Sequence, residues 1–193
     1  MCVVLTTVEG EPLFVYTVFK RIELFIEKYI GRTTEVFSPD SKLFQADSLQ
    51  LLQHHQKLPA DLRHFQGRQA FFICHEFNSA VWGDLVRQWK SGEALQNLEY
   101  LEATKLHHFL IDEEMMLYEF DAKRIDPTRR PPTHTVPRLF INEKETPNTR
   151  PITSHAYVVR ETDNRVASVR IWQGIISMGV WDKTEEQFLR MVE

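Results

Sequence analysis

Residues 155–180 read HAYVVRETDNRVASVRIWQGIISMGV, and this stretch decides the fold class that we predict. Two runs rich in β-branched and aromatic residues, 155–161 and 166–172, flank a polar break, and such runs are typical of strands. The Asp163-Asn164 pair between them tolerates the positive φ of a tight hairpin turn. A third strand is expected over residues 175–180. The C-terminal part of the chain therefore predicts an antiparallel meander.

The first half of the chain predicts helices instead. Apolar residues recur at helical spacing over residues 18–30, and Gly31 follows as the expected C-cap. Asp47 or Ser48 is placed to cap a helix over the leucines that follow. A helix is expected over residues 59–65, a second is capped by Asn78 or Ser79 and stops at Ser91-Gly92, and a third covers residues 94–101. One buried strand is expected over residues 70–74.

Two stretches leave alternatives open. Residues 3–17 fit either a hairpin or one long helix with Pro12 in its first turn. Residues 106–120 fit a helix or a hairpin, and the acidic break at 112–114 favours the hairpin. Helices thus dominate the first half and strands the second. We predict one α+β domain over residues 1–193, in which a helix-rich N-terminal half packs on a mainly antiparallel sheet formed largely by the C-terminal half.

Residues 121–151, which we call the Pro-rich arm, contain six of the nine prolines. Because proline has no N–H for a strand ladder, we expect a long arm or loop with at most one short strand, over residues 138–142. Residues 122–172 contain ten basic and five acidic residues, a formal charge of +5 against −4 for the whole chain. Arg129, Arg130 and Arg138 are therefore candidate contacts to an acidic protein or a phosphate backbone.

A two-residue loop at Asp163-Asn164 fixes the register that we predict for the C-terminal hairpin. It places Tyr157 opposite Arg170 and His155 opposite Trp172. Aromatic rings beside a guanidinium suit a nucleobase, a planar ligand or an aromatic anchor of a partner protein. These four residues are candidate binding residues, unless helices cover this face and bury them. The other face is expected to be core, formed by Ala156, Val158, Ala167, Val169 and Ile171.

Motifs for catalysis and metal binding are weak. The seven glycines are scattered, so no phosphate-binding loop is present. His108 and Asp112 are the weak metal candidates, and they share a helix face only if this stretch is helical. Cys74 needs a base from elsewhere to act as a nucleophile, and the sequence identifies none. We therefore expect no metal, no cofactor and no catalytic residue.

The composition favours a protein that works by binding. Two cysteines, no basic leader segment and no apolar run of membrane-spanning length predict a cytoplasmic protein without a membrane partner. We predict a non-enzymatic regulator, inhibitor or assembly subunit that engages a protein partner through the Pro-rich arm and the aromatic sheet face. A nucleic-acid-binding or processing protein that uses the same surface is the alternative. A metal- or cysteine-dependent enzyme is the third hypothesis, and homo-oligomerisation is compatible with all three.

Overall fold

The computed structural model describes residues 2–5, 28–33, 41–53, 62–74, 78–105, 112–139 and 146–193. The strands in these ranges are β1 Cys2–Leu5, β2 Lys28–Thr33, β3 Ser48–Gln53, β4 Gln69–Cys74, β5 Tyr100–Lys105, β6 Lys123–Arg124, β7 Thr133–His134, β8 Ile152–Thr153, β9 Ala156–Val159, β10 Arg165–Trp172 and β11 Ile175–Thr184. The helices are α1 Ser79–Ser91, α2 Glu113–Glu119 and α3 Glu185–Leu189, with a 3-10 turn at Lys42–Gln45. None of the helices in these ranges is long and apolar enough to cross a membrane.

Nine strands form one mixed sheet in the order β1-β2-β3-β4-β5-β11-β10-β9-β6. Strands β1 to β5 run parallel, and each lies beside the strand that follows it in the chain. Strand β11 pairs antiparallel with β5, and β10, β9 and β6 extend the sheet with antiparallel pairs. Strands β7 and β8 form a separate two-stranded sheet. The β5–β11 pair thus joins a parallel half to an antiparallel half.

The prediction of a helix-rich N-terminal half packed on a mainly antiparallel sheet is wrong. Residues 28–31, expected to end a helix, lie in β2, and the leucines after Ser48 lie in β3. Ser48 and Leu49 point to opposite faces and are both buried, as parallel strands require. A short apolar run without alternation does not distinguish a buried strand from a helix. Residues 6–27 and 54–61 lie outside the described ranges, and with them most of the helix expected over 18–30 and the start of the helix expected over 59–65. Residues 62–65 form a turn in which the Phe65 N–H donates to the Leu62 carbonyl over 2.9 Å.

Helix α1 and strand β4 confirm the prediction for this part of the chain. The Asn78 side chain accepts hydrogen bonds from two backbone N–H groups of the first turn of α1 and so caps the helix. Gly92 ends α1 with a φ of +77°, a conformation that glycine adopts without strain. The helix expected over residues 94–101 is wrong. Leu95 has a φ of +56°, which interrupts helical geometry, and β5 begins at Tyr100.

The hairpin favoured for residues 106–120 is also wrong in the part that the structure describes. Residues 113–119 form α2, and Asp112 caps it by accepting a hydrogen bond of 3.0 Å from the Met115 N–H. Glu113 and Glu114 stand in the first turn, where acidic side chains interact favourably with the helix dipole. The acidic break that suggested a turn is therefore a helix N-terminus. Residues 106–111 lie outside the described ranges.

The two faces of the sheet have different coverings. We call one the helical face, because α1 and α2 pack there on a core that includes Phe72 and Met178. We call the other the arm face, because the Pro-rich arm and β8 cross it and Ile152 packs on Tyr100. Helix α3 covers the β9–β10 end of the arm face. The candidate site lies on the arm face, where this covering leaves a gap.

The Pro-rich arm is attached to the sheet through backbone groups. The buried Gln69 side chain donates a hydrogen bond of 2.8 Å from Nε2 to the Pro137 carbonyl. Its Oε1 accepts a hydrogen bond of 3.1 Å from the Leu139 N–H. Between these two residues, the Arg138 guanidinium carbon lies 4.4 Å from the centre of the Phe71 ring. The amide of one glutamine thus replaces the strand pairing that the prolines prevent.

Candidate functional site

The hairpin between β9 and β10 closes with a four-residue loop, not with the two-residue loop that we predicted. The Arg160 N–H donates to the Arg165 carbonyl over 2.8 Å, which leaves residues 161–164 as the loop. Asn164 has a φ of +59°, as a turn residue requires. Asp163 accepts hydrogen bonds of 2.9 and 2.6 Å from the Arg160 guanidinium and one of 3.1 Å from the Arg165 N–H. One loop carboxylate therefore stabilises this register.

The longer loop shifts the strand pairing by two residues. Tyr157 pairs with Ser168 rather than with Arg170, and Arg170 pairs with Ser177 of β11. A shift of two residues leaves each side chain on its predicted face. The core face predicted from the sequence is therefore confirmed, because the structure buries Ala156, Val158, Ala167, Val169 and Ile171.

Tyr157 lies beneath helix α3. Its ring packs against Phe188 with the ring centres 5.3 Å apart, and its hydroxyl donates a hydrogen bond of 2.9 Å to Glu185. Burial, together with the Glu185 carboxylate, raises the pKa of Tyr157 to about 12. Tyr157 is thus a core residue that holds α3 on the sheet.

The first part of the Pro-rich arm is attached to the C-terminal residues. His155 Nε2 lies 3.0 Å from the Arg129 carbonyl, so His155 contacts the arm and does not face Trp172. The Arg129 guanidinium donates to the Val192 carbonyl. Arg130 and Glu193 exchange two backbone hydrogen bonds of 2.6 and 3.1 Å. The arm therefore does not extend freely into solvent at these arginines.

Arg170 and Trp172, the two remaining candidates, line an open cleft on the surface. The Trp172 side chain is 50% exposed. The Arg170 guanidinium carbon lies 4.9 Å from the centre of the Trp172 ring, which is a cation–π contact. The cleft forms where the end of the arm meets β10 and β11, and its other lining residues are Arg150, Pro151, Ile175 and Ser177.

A buried tyrosine–glutamate pair lies beside the cleft. The Tyr100 hydroxyl donates a hydrogen bond of 2.8 Å to Glu102 Oε2 and lies 3.2 Å from the Arg150 carbonyl. Burial, and secondarily the Glu102 charge, raises the pKa of Tyr100 above its ordinary value. Arg150 Nε is 3.7 Å from the same Glu102 oxygen, and the Glu102 side chain is only 12% exposed. The Tyr100 phenol and the Glu102 carboxylate therefore lie next to the Arg150 guanidinium, on its buried side.

Arg170 has no acidic partner in the described ranges, whereas several other basic side chains of the arm and the hairpin form ion pairs. These pairs include Lys123–Glu185, Arg124–Glu114, Arg160–Asp163 and Arg165–Asp182. Within the described ranges, Arg170 has no carboxylate at ion-pair distance, and its charge stands over the Trp172 ring. The N–H groups of Arg170 therefore have no carboxylate partner in the described ranges and are available to an acceptor on a ligand.

The weak catalytic candidates form no site in the described part of the chain. The Cys74 thiol is buried, and burial raises its pKa to about 12, so it is protonated at neutral pH and a poor nucleophile. Asp112 is occupied as the cap of α2, and His108 lies outside the described ranges. No group of three or more His, Cys, Asp or Glu side chains in those ranges is arranged to hold a metal ion.

Sequence reasoning missed Arg150, Ser177 and the Tyr100–Glu102 pair. The predicted meander could have indicated Ser177, because Ser177 of β11 pairs with Arg170 of β10 and lies on the same face of the sheet. Glu102 of β5 is the opposite neighbour of Ser177, which completes a row across three strands. The β5–β11 pairing joins parts of the chain that are far apart in sequence, and no local pattern predicts it.

The described lining of the cleft offers two guanidinium groups, one indole face and one hydroxyl, which bind anions and planar or apolar groups. Among the described residues that line it, none is a histidine, cysteine or lysine. Comparison of the chain with protein-family models, with curated proteins and with solved structures finds no match.

Proposed function

We propose that this chain is a non-enzymatic protein-binding module of the cytoplasm. Its partner docks on the cleft formed by Arg150, Pro151, Arg170 and Trp172, and the chain acts as a regulator, an inhibitor or an assembly subunit. The cleft combines the end of the basic Pro-rich arm with the aromatic part of the C-terminal sheet. The free thiol of Cys74 agrees with a reducing compartment.

The half-exposed Trp172 ring beneath the Arg170 guanidinium carries this proposal. Large aromatic side chains are usually buried, and the other three tryptophans of the chain are buried or partly buried. Tryptophan and arginine are also the residues most enriched among the energetic centres of protein interfaces. A half-exposed tryptophan in contact with a partly exposed arginine therefore supports a docking surface.

The form of the cleft supports a protein partner over a free cofactor. The cleft lies open on the surface between the arm and strands β10 and β11, whereas sites for small molecules usually enclose most of the ligand. An open cleft suits a side chain of a partner protein whose remaining surface lies around it.

The test is affinity capture with the wild-type chain and with Trp172→Ala. Proteins that bind the wild type are identified by mass spectrometry, and their affinity for both forms is measured with purified components. Because a buried interface tryptophan contributes about 2 kcal/mol or more, we expect the dissociation constant to rise about 30-fold or more in the variant. The thermal unfolding temperature is expected to change little, since the side chain is half exposed.

Tyr118→Ala is the matched control, because Tyr118 is 84% exposed on α2, which packs on the helical face. This control is expected to retain full affinity. Equal loss in both variants, or full retention in Trp172→Ala, contradicts a partner at the cleft. Parallel capture from nuclease-treated lysate tests the alternative, since partners lost only after nuclease treatment would favour nucleic-acid binding.

A further inference from the structure

We propose that the cleft recognises an acidic side chain, an aspartate or glutamate, in an exposed segment of the partner protein. An apolar residue beside that acid then covers the free part of the Trp172 ring. This inference rests on the proposed function and specifies the chemistry of the partner. Its evidence is the arrangement of the Arg150 and Arg170 guanidinium groups and the position of Glu102 next to Arg150.

Arg170 supplies the first set of donors. Its guanidinium carbon lies 4.9 Å from the centre of the Trp172 ring, over the ring, and a guanidinium carries five N–H donors in a fixed fork that matches a carboxylate. Within the described ranges it forms no ion pair, unlike Arg165 on the same strand, which pairs with Asp182. The contact with the Trp172 ring holds the guanidinium at the cleft, which reduces the entropy lost when a ligand binds.

Arg150 supplies the second set of donors. Its Nε stands 3.7 Å from Glu102, too far for a hydrogen bond, while Glu102 accepts the hydrogen bond of Tyr100. The internal carboxylate therefore attracts Arg150 without satisfying its N–H groups. Arg150, Arg170 and Glu102 sum to a formal charge of +1, which one carboxylate neutralises.

The surroundings select a carboxylate on a short apolar stem. Pro151 and Ile175 form apolar walls, which suit the methylene groups of an acidic side chain. A phosphate dianion would bring a second negative charge close to Glu102 and be repelled by it. Charge and shape therefore both favour a protein carboxylate over a phosphate group.

The experiment uses two blocked pentapeptides, Ala-Leu-Glu-Leu-Ala and the same peptide with glutamine at its centre. Each is titrated into the full-length 15N-labelled chain, and the indole N–H signal of Trp172 is followed by NMR. Trp172→Phe identifies that signal by its disappearance. We expect the glutamate peptide to shift the signal saturably, and the glutamine peptide to bind at least about fivefold more weakly, because charged hydrogen bonds are about twice as strong as neutral ones.

Substitutions of single arginines test which residue produces the preference for the glutamate peptide over the glutamine peptide. Arg170→Gln is expected to remove the difference between the two peptides, and Arg170→Lys is expected to retain part of it, since the charge remains but the fork of donors is lost. Arg165→Gln, on the same strand and outside the cleft, is the matched control and is expected to bind both peptides as the wild type does. Inorganic phosphate, titrated in the same way, is expected to bind more weakly than the glutamate peptide.

Equal binding of the two peptides, no shift with either at millimolar concentration, or an unchanged preference in Arg170→Gln overturns the carboxylate inference. Phosphate that binds as tightly as the glutamate peptide also overturns it, because the cleft would then select charge alone. The proposed function is tested separately, by the capture experiment with Trp172→Ala. It is retained if Trp172→Ala still loses the captured partner, and it is lost if that variant binds the partner as the wild type does.

Discussion

His134 supports the middle of the Pro-rich arm on the sheet. Its Nε2 lies 3.0 Å from the Val180 carbonyl, and its ring packs edge-on against Trp181 with the centres 4.9 Å apart. Gly179 permits this approach, because a Cβ at that position would overlap the imidazole. The buried Nδ1 has no hydrogen-bond partner among the described residues. Nε2 therefore carries the proton, and a second proton on Nδ1 would be buried without an acceptor.

Stability is expected to fall in acid because of this histidine. Burial lowers the pKa of His134 below its ordinary value of 6.5, against a smaller opposing effect of the Val180 hydrogen bond and the Glu99 charge. The unfolded chain then takes up a proton at a higher pH than the folded chain. The stabilisation is thus complete well above pH 6.5 and is lost as the pH falls through that value, by up to about 1.4 kcal/mol per pH unit.

Urea unfolding of the wild type and of His134→Gln between pH 7 and pH 5 measures this effect. Glutamine keeps an N–H donor but does not titrate, so the variant is expected to lose less free energy of unfolding over that range. Equal losses in the two proteins would show that His134 is not held neutral by the fold.

At the scale of elements, the Pro-rich arm behaves as a covering layer with little regular structure. In its described part it contains the two-residue strands β6 and β7, not the single strand expected over residues 138–142, of which residues 140–142 lie outside the described ranges. Its prolines have no backbone N–H to donate to a neighbouring strand. Side chains of the sheet and the arm therefore form hydrogen bonds with the arm backbone in place of regular strand pairing. Gln69 bonds to the backbone at residues 137 and 139, and the Thr149 hydroxyl accepts a hydrogen bond of 3.1 Å from the Val136 N–H. Both polar side chains are buried, so their hydrogen bonds are costly to lose. The arm positions Arg150 through this attachment.

Gln69→Ala is expected to release this part of the arm. The variant removes the partners of the Pro137 carbonyl and the Leu139 N–H, which both lie in partly buried hydrogen bonds. At about 0.5–1.5 kcal/mol for each hydrogen bond, we expect the free energy of unfolding to fall by about 1–3 kcal/mol. Hydrogen exchange of the Leu139 amide is expected to become faster, because that amide loses its acceptor. Gln96→Ala, at an exposed glutamine of the loop before β5, is the control and is expected to change neither quantity. Unchanged protection at Leu139 in Gln69→Ala would contradict this attachment.

At the scale of the whole molecule, one core joins the two halves of the sheet. Trp82 and Trp89 of α1 pack in a single cluster with Phe72 from the parallel half and Val169 from the antiparallel half. No boundary between independent cores separates β5 from β11 on the helical face. The two halves are therefore expected to unfold as one cooperative unit.

Trp82→Ala tests this cooperativity. Removing a fully buried tryptophan is expected to lower the free energy of unfolding by about 3–5 kcal/mol. In a Cys2→Ser background, chemical labelling of Cys74 reports opening of the parallel half, while far-UV circular dichroism reports the whole sheet. Both urea midpoints are expected to fall together. Labelling of Cys74 at urea concentrations that leave the dichroism unchanged would instead show two separate units.

The predictions succeeded where a local pattern has one structural solution. The three strands predicted over residues 155–180 and the helix predicted between Asn78 or Ser79 and Gly92 follow from alternation, turn residues and helix caps, although β11 continues to Thr184 and the hairpin loop is longer than predicted. The predictions failed where an apolar run fits both a helix and a buried strand, as in β2 and β3. Of the predicted site residues, Arg170 and Trp172 lie at the cleft, and their role in binding stays a prediction. Tyr157 is on its predicted face of the sheet, but α3 covers it there. Arg150 was missed because the arm has no periodic pattern.

The alternation of the last strands determined by itself which side chains form the helical-face core, because a strand can exchange its faces only by an odd shift in register. The tertiary structure alone decided that the first strands run parallel, that α3 buries Tyr157 and that the arm brings Arg150 to Trp172. These outcomes depend on contacts between residues that are distant in the chain. Such contacts become favourable only when the tertiary structure has formed, because bringing distant segments together first costs loop-closure entropy.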